Sequence, residues 1–174
     1  GLQFMPIKAD KKPIFKGWQN TAKKYDLSNV EAVGLVCGKL SGNVEVIDFD
    51  LKYDLTGTLM KRYKEMVNGY DPHILEKLVW QKTKNGGLHG IYRCETIEGN
   101  QKLAQRDATD PEKAKGDKVM VLIETRGEGG QIAIAPTPDY SLIKGTLDAI
   151  PTITITERET MLLCARNFNE HFKE

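Results

Sequence analysis

Asp48 and Asp50 lie two positions apart in VEVIDFD (44–50). A strand alternates with a period of two, so both carboxylates project from one face with Val44 and Val46, and Ile47 and Phe49 from the other. Two like charges one repeat apart at the end of an apolar strand are costly unless water solvates them or a cation lies between them. Two further polar residues interrupt apolar runs, His89 in LVWQKTKNGGLHGIYR (78–93) and Glu124 in KVMVLIETRGEGGQIAIAP (118–136). Each has an ordinary structural account: a strand end in water, a hydrogen-bonded histidine, an acid beside a turn. If the sheet sets these strands side by side, three carboxylates converge with Arg126 close by. Carboxylate oxygens are the ligands of hard divalent ions such as magnesium and manganese. Two such ions about 3.5–4 Å apart stabilise both the attacking and the leaving oxygen of a phosphoryl transfer. Arg126 brings a permanent planar cation suited to phosphate oxygens, and His89 a ring N–H donor. Gly86 and Gly87 before the histidine, and Gly127, Gly129 and Gly130 after the arginine, leave room for a phosphate or a nucleic-acid backbone; they suit tight turns equally well.

The elements that must position these residues follow from periodicity and turn signals. Strands are expected at 33–37 and 44–49, joined tightly through SGN (41–43). Leu55, Leu59, Tyr63 and Met66 fall at helical spacing, closed by Asn68-Gly69, and a short helix follows at 72–77 behind Asp71-Pro72. Residues 78–93 read as a hairpin about NGG (85–87). A short strand near 102–106 leads into an exposed, mobile loop. Residues 118–136 read as a second hairpin turning at 127–130. A helix over 156–174 opens on a capping box of Thr156 and Glu159. Strands and helices mixed in this way, with antiparallel hairpins, predict an α/β (α+β) fold with a mixed or antiparallel sheet, and the 174 residues suit one domain over 1–174.

No apolar run is long enough for a membrane span and no signal-peptide pattern opens the chain, so a cytoplasmic protein is expected. Cys37, Cys94 and Cys164 are scattered, without a C-x-x-C pair, so they predict buried reduced thiols and no zinc site. The net charge is only +1, but its distribution is uneven. Lys8, Lys11, Lys12, Lys16, Lys23 and Lys24 meet a single acid, Asp10, in the first 24 residues, and Lys82, Lys84 and Arg93 lie in an acid-free stretch. Such runs are either solvated faces or phosphate-tracking surfaces. Trp18 and Trp80 suit the core better than a base-stacking role.

Four blocks taken in order, KKPIFKGWQN (11–20), GLVCGKLSGNVEVIDFD (34–50), TKNGGLHGIYR (83–93) and IETRGEGGQIAIAPTP (123–138), resemble the primase–polymerase (Prim-Pol) domain of the archaeo-eukaryotic primase superfamily. The similarity is to the bifunctional branch found in plasmid, phage and helicase-linked replication proteins, over residues 6–145. The resemblance implies a catalytic core like an RNA-recognition-motif sheet, packed against an N-terminal α/β unit. It implies template-directed nucleotidyl transfer, with Asp48, Asp50 and Glu124 as catalytic residues holding two Mg2+ or Mn2+ ions. His89, Arg126, Lys16 and Asn85 would contact the nucleotide. Partners would be a single-stranded or primed DNA template, nucleoside triphosphates, and a helicase, fused or separate. Lys12, Lys82, Lys84 and Arg93 are the residues expected on template phosphates. Two departures concern the triphosphate geometry: Gly87 stands where the wider superfamily often has serine two residues before the histidine, and Lys84-Asn85 replaces Pro-Ser before the paired glycines. Two other functions suit clustered acids or basic stretches, a metal-dependent nuclease and a non-catalytic nucleotide- or DNA-binding module. A pure binder gains nothing from three repulsive carboxylates near phosphates. The helix reaches Glu174 in mid-charge without a stop signal, and the resemblance implies a parent protein with a helicase or other replication module downstream.

Overall fold

The computed structural model describes residues 1–173. Along the chain come β1 (Phe4–Ile7), β2 (Ala32–Val36), β3 (Val44–Phe49), α1 (Leu59–Tyr70), α2 (Ile74–Lys77), β4 (Val79–Lys82) and β5 (Leu88–Cys94). There follow β6 (Gln101–Asp107), α3 (Asp110–Ala114), β7 (Val119–Arg126), β8 (Gln131–Ala133), β9 (Ser141–Lys144), β10 (Thr152–Ile153) and α4 (Ile155–Arg166). The fold is mixed α+β, as expected.

The strands form two sheets. β1-β2-β8 is antiparallel throughout; the larger sheet runs β6-β7-β3-β5-β4-β9, antiparallel except that β10 adds to β5 in parallel. β3 and β4 both pair antiparallel with β5, so they are parallel to each other across it, joined by the crossover that carries α1 and α2. Spatial order β7-β3-β5-β4 is that of an RNA-recognition-motif sheet. The unit packed against it is made of β1, β2 and β8, and its N-terminal part is strand and loop without an α-helix.

Alternation along β3 explains the layering. Ile47 and Phe49 pack with Tyr63, Tyr92, Met161 and Phe168 under α1 and α4, whereas Val44 and Val46 pack with Leu35, Ile91, Ile132 and Ile134 between the two sheets. β3 is therefore buried on both faces, and Asp48 belongs to the face toward the smaller sheet. Trp80 lies in the first cluster with its indole N–H on the Leu75 carbonyl (2.9 Å), and Trp18 packs beside the cluster around Met5 and Ile7. The three cysteines are free and buried, and burial pushes the Cys37 thiol up to about 12. Among the described residues, no helix is long and apolar enough to cross a membrane.

Several local expectations need correction. The strands expected at 33–37 and 44–49 form, and their tight connection through Ser41–Asn43 passes the chain from one sheet to the other, so β2 and β3 make no hairpin. The 118–136 segment is likewise no hairpin, because β7 pairs with β3 and β6 while β8 pairs with β2. Gly127 lets the chain cross: a Cβ there would meet the Glu98 carbonyl at 2.0 Å. α1 begins at Leu59, because the Asp54 carboxylate organises the preceding turn by accepting from the N–H groups of Thr56 and Leu59 (3.0 Å each). The loop after β6 is held, not mobile: Thr109 and Glu112 form a capping box on α3, and Arg106 donates two 2.8 Å bonds to Glu112. α4 uses the other T-x-x-E in TITITERE, Thr154 with Glu157, since β10 ends at Ile153. It stops at Arg166, and the expected end at Glu174 lies outside the described residues.

Candidate active site

Cross-strand register brings the polar residues into one line. Asp48 stands opposite His89 on β5 and opposite Glu124 on β7. The line extends to Gln81 on β4, opposite His89, and to Lys102 on β6, opposite Glu124. Opposed residues of an antiparallel pair have Cβ atoms about 4.5–5.5 Å apart, so Lys102, Glu124, Asp48, His89 and Gln81 cross the larger sheet as a row. Asp50 lies one repeat beyond Asp48, just past the end of β3, its N–H on the Leu122 carbonyl (2.9 Å).

The hydrogen bonds within the row determine which ring nitrogen of His89 carries the proton. The Gln81 carbonyl oxygen accepts from Ala135 N–H (2.8 Å), which fixes the orientation of the amide. Its nitrogen then donates to the Ala133 carbonyl (3.0 Å) and to His89 Nδ1 (3.0 Å). Nδ1 is therefore the acceptor, and the proton sits on Nε2, 3.3 Å from Asp48 Oδ1. Gln81 is fully buried and ties β4 to β8, bridging the two sheets. Replacing it by leucine leaves Ala135 N–H and the Ala133 carbonyl unpaired at a cost of about 1–3 kcal/mol each and frees the imidazole. Long-range proton–nitrogen NMR correlations of His89 are expected to show unprotonated Nδ1 in the wild type and a mixture of tautomers in Gln81→Leu; a mixture in both overturns the assignment.

A cavity of about 140 Å³ lies between the sheets, lined by Asp48, His89 and Arg126, by Gln131, Ile132 and Ala133 of β8, and by Lys11 and Tyr140. Sites for whole small-molecule ligands usually exceed about 300 Å³, so this one suits a phosphate-sized group with the remainder of its molecule outside. Arg126 is ion-paired with Glu124. The charges around the cavity act on the three acids differently. Burial raises the Asp48 carboxyl, but His89, Arg126 and Lys11 together outweigh it and hold the group below its ordinary value. Burial raises Asp50, opposed by Lys52 and reinforced by the charge of Asp48. Glu124 is also raised, by burial first, with Arg126 opposing and Asp48 and Asp50 adding to the shift. The charge of Asp48 thus reaches both other carboxyls.

All three groups are carboxylates, the donors that a hard divalent ion takes, and of the three Asp48 lines the cavity. As placed, Glu124 turns to Arg126 and Asp48 accepts from His89; among the described residues no three acidic, histidine or cysteine side chains stand in ion-holding geometry. An ion held by all three would need a side chain to rotate, such as Glu124 away from Arg126.

The other expected site residues are dispersed. Lys16 is exposed on the loop after β1 and does not line the cavity; Lys11, five residues earlier, does. Asn85 is exposed at the tip of the β4–β5 turn, beside exposed Lys82 and Lys84. Arg93 lies at the opposite end of β5, with Nε 3.4 Å from the Ser41 carbonyl, so these cations do not form a continuous stripe. Lys12 is exposed and paired with Asp10 at 3.6 Å. Gly87 leaves no free space for a ligand: a Cβ there would meet the Phe49 carbonyl at 2.5 Å, so its role is close packing of the hairpin on β3. Gln81, Gln131 and Tyr140 were not singled out from sequence. Of these only Gln81 carried a signal, a buried-strand amide in register with His89 once the hairpin turn is placed.

Acids, a histidine of defined tautomer, and cations around a phosphate-sized cavity define a polar site between two sheets of an α+β domain. The chain belongs to the Prim-Pol family, described as bifunctional DNA primase/polymerase, N-terminal, whose family model matches residues 1–153. Membership supports DNA primase/polymerase-type nucleotidyl transfer as the class of activity. No curated protein sequence matches the chain.

Proposed function

We propose that the protein joins nucleotides on a DNA template by attack of a 3′-hydroxyl, or of a first nucleotide's hydroxyl, on the α-phosphate of a nucleoside triphosphate, releasing pyrophosphate. The observation that carries this reading is the register Glu124–Asp48–His89 on the larger sheet, with Arg126 paired to Glu124 and with Lys11 and Arg126 lining the same cavity as Asp48 and His89. Asp48, Asp50 and Glu124 would hold magnesium or manganese, which would supply charge neutralisation and a more acidic attacking hydroxyl. The chain's own cations act on the triphosphate. Arg126, released from Glu124, presents its fork to phosphate oxygens, and Lys11 adds a point charge from the loop. His89 offers its Nε2 proton to an oxygen that competes with Asp48. Template contacts by Lys12, Lys82, Lys84 and Arg93, and work beside a helicase in plasmid, phage or other mobile-element replication, belong to the same proposal.

Primer extension on a single-stranded template tests it, with each nucleotide type, with magnesium or manganese, and after chelation. Extension that needs added metal is expected; cutting of DNA without nucleotides, or binding without extension, overturns the proposal in favour of a nuclease or a binding module. His89→Ala is expected to raise the nucleotide KM roughly 10- to 150-fold, one charge-assisted contact being worth about 1.5–3 kcal/mol. Lys11→Ala is expected to raise KM more than Lys16→Ala, because only Lys11 lines the cavity; the reverse order overturns the placement of the loop cations.

A further inference from the structure

Between the paired ends of β1 and β2 the chain spends 24 residues, 8–31, without a helix or strand. Irregular segments longer than about 12–15 residues are uncommon inside compact domains and are usually functional when ordered. This one is anchored on both limbs. Gln131 Nε2 donates to the Lys11 carbonyl (2.8 Å), and the buried Gln3 amide grips Lys23, donating to its carbonyl (2.6 Å) and accepting from its N–H (2.9 Å). Ala9 N–H donates to Glu31 across the base (3.1 Å).

The anchored loop holds out an aromatic pair. Phe15 and Tyr25 stack with centroids 5.2 Å apart and planes 20° from parallel. The Lys23 ammonium is 5.7 Å from one centroid and 5.4 Å from the other, so it lies beside the stack and not beyond either ring. Phe15 keeps 47% of its surface exposed, as does Ile14 next to it. A pair serving only as a small local core would bury its outer ring. From Lys11 to Lys24 the segment contains five lysines and no acid. It also begins at the cavity, which Lys11 lines. Four residues of extended chain span at most about 14 Å, so Phe15 is within that distance of the cavity's edge.

An exposed ring flanked by unopposed cations, and continuous with a phosphate-sized cavity, is the arrangement that takes unstacked bases with their backbone. We infer that the 8–31 loop is the seat of a single nucleic-acid strand, a base stacking on the outer face of Phe15 and the phosphates following Lys16, Lys23 and Lys24. The inference rests on the proposed function only for naming that strand as the template or primer.

Fluorescence anisotropy of a labelled oligothymidine on the full chain tests it without nucleotide or chemistry. Phe15→Ala is expected to weaken binding roughly 5- to 100-fold, with the slope of log affinity against log salt unchanged because no charge is lost. Phe15→Trp is expected to bind at least as well as wild type, which separates a stacking loss from a folding one. Lys24→Ala should reduce that slope by about 0.7. Single strands should compete better than a duplex of equal length, whose bases offer no free face. Oligothymidine affinity within twofold of wild type in Phe15→Ala overturns the seat, as does an equal loss in Phe15→Trp or a change confined to the nucleotide KM. If Phe15→Ala binds like wild type while primers are still extended, only the seat fails. If the oligonucleotide is held through Phe15 and neither metal supports extension, the seat stands and the catalytic proposal falls.

Discussion

Asp48→Asn is expected to abolish primer extension, by well over about 100-fold, since losing even an indirect support of a metal ligand costs 10–100-fold. Asp48 is the centre of the row, opposed on both sides and accepting the His89 proton, so its loss removes the proposed ion ligand and the imidazole's partner together. Asp50→Asn should also end activity, yet the two substitutions are expected to move stability in opposite directions. Asp48 has its carboxyl lowered in the fold, so its ionised form contributes stability above the ordinary value of 3.8 that is lost as pH falls through the folded value. At neutral pH, Asp48→Asn therefore lowers the melting temperature. Asp50 is raised, so the fold disfavours its charge at neutral pH, and the native protein regains that stability as pH falls through the raised value. Asp50→Asn should raise the melting temperature by up to a few degrees, about 1 kcal/mol being worth 2–4 °C at this size. That gain should fade in acid, where the native carboxyl is itself protonated. Melts of both variants at neutral and acid pH check the signs, and a stabilising Asp48→Asn would overturn this account of the site's electrostatics. Glu124 is raised too, so magnesium or manganese affinity should fall first as Asp50 and Glu124 protonate and only later through Asp48.

Much of this site was legible because its signals are local. Alternation in VEVIDFD assigned the faces of β3, and the NGG turn set a hairpin whose register puts Gln81 beside His89. Glu124 stood out as an acid in an apolar run with Arg126 close by, but only the ordered blocks joined them to Asp48, which no periodicity would have done. What escaped was non-local. The glycines at 127–130 suit a hairpin turn and a sheet-to-sheet crossing equally well, and only the Glu98 backbone lying against Gly127 decides between them. Lys11 and Lys16 are equivalent in sequence; the Gln131 bond to the Lys11 carbonyl makes the difference. TITITERE contains two capping boxes in alternate positions, and the short β10 selects the first.

The largest stability effect is expected at an acid that VEVIDFD also contains. Glu45 faces away from Asp48, into the layer under the helices, and is 0% exposed. Arg158 of α4 grips it with a two-pronged contact, Nε to Oε1 at 2.7 Å and one terminal nitrogen to Oε2 at 3.0 Å, while the Tyr92 hydroxyl donates at 2.5 Å. Those hydrogen bonds to Glu45 raise the Arg158 guanidinium. Arg158→Met leaves a buried carboxylate with one neutral donor, which should cost about 3–5 kcal/mol. Total stability is typically about 5–15 kcal/mol, so the urea midpoint should drop by roughly 1–3 M. Removing the pair together is a different matter, since apolar replacements of a buried ion pair are often neutral or stabilising. Glu45→Leu with Arg158→Leu should still suffer from the orphaned Tyr92 hydroxyl, and adding Tyr92→Phe should restore most of the midpoint. An unmoved midpoint in Arg158→Met would show that the carboxylate is reached by water and the layer is not closed.

The crossing from β7 to β8 has a bearing on how the site comes into being. Arg126 and Gln131 face the same cavity from different sheets although only the glycine-rich stretch separates them in the chain. Bringing them together closes a very short loop at little entropic cost, so this part of the cavity wall, one cation and one amide, needs only local chain collapse. Asp48 meets Glu124 only after β3 and β7 pair across a large sequence separation, the kind of contact that forms slowly. The meeting of Asp48 with Glu124 thus waits on long-range pairing, and Arg126, two residues from Glu124 and ion-paired with it, is at hand to offset the repulsion when the strands join.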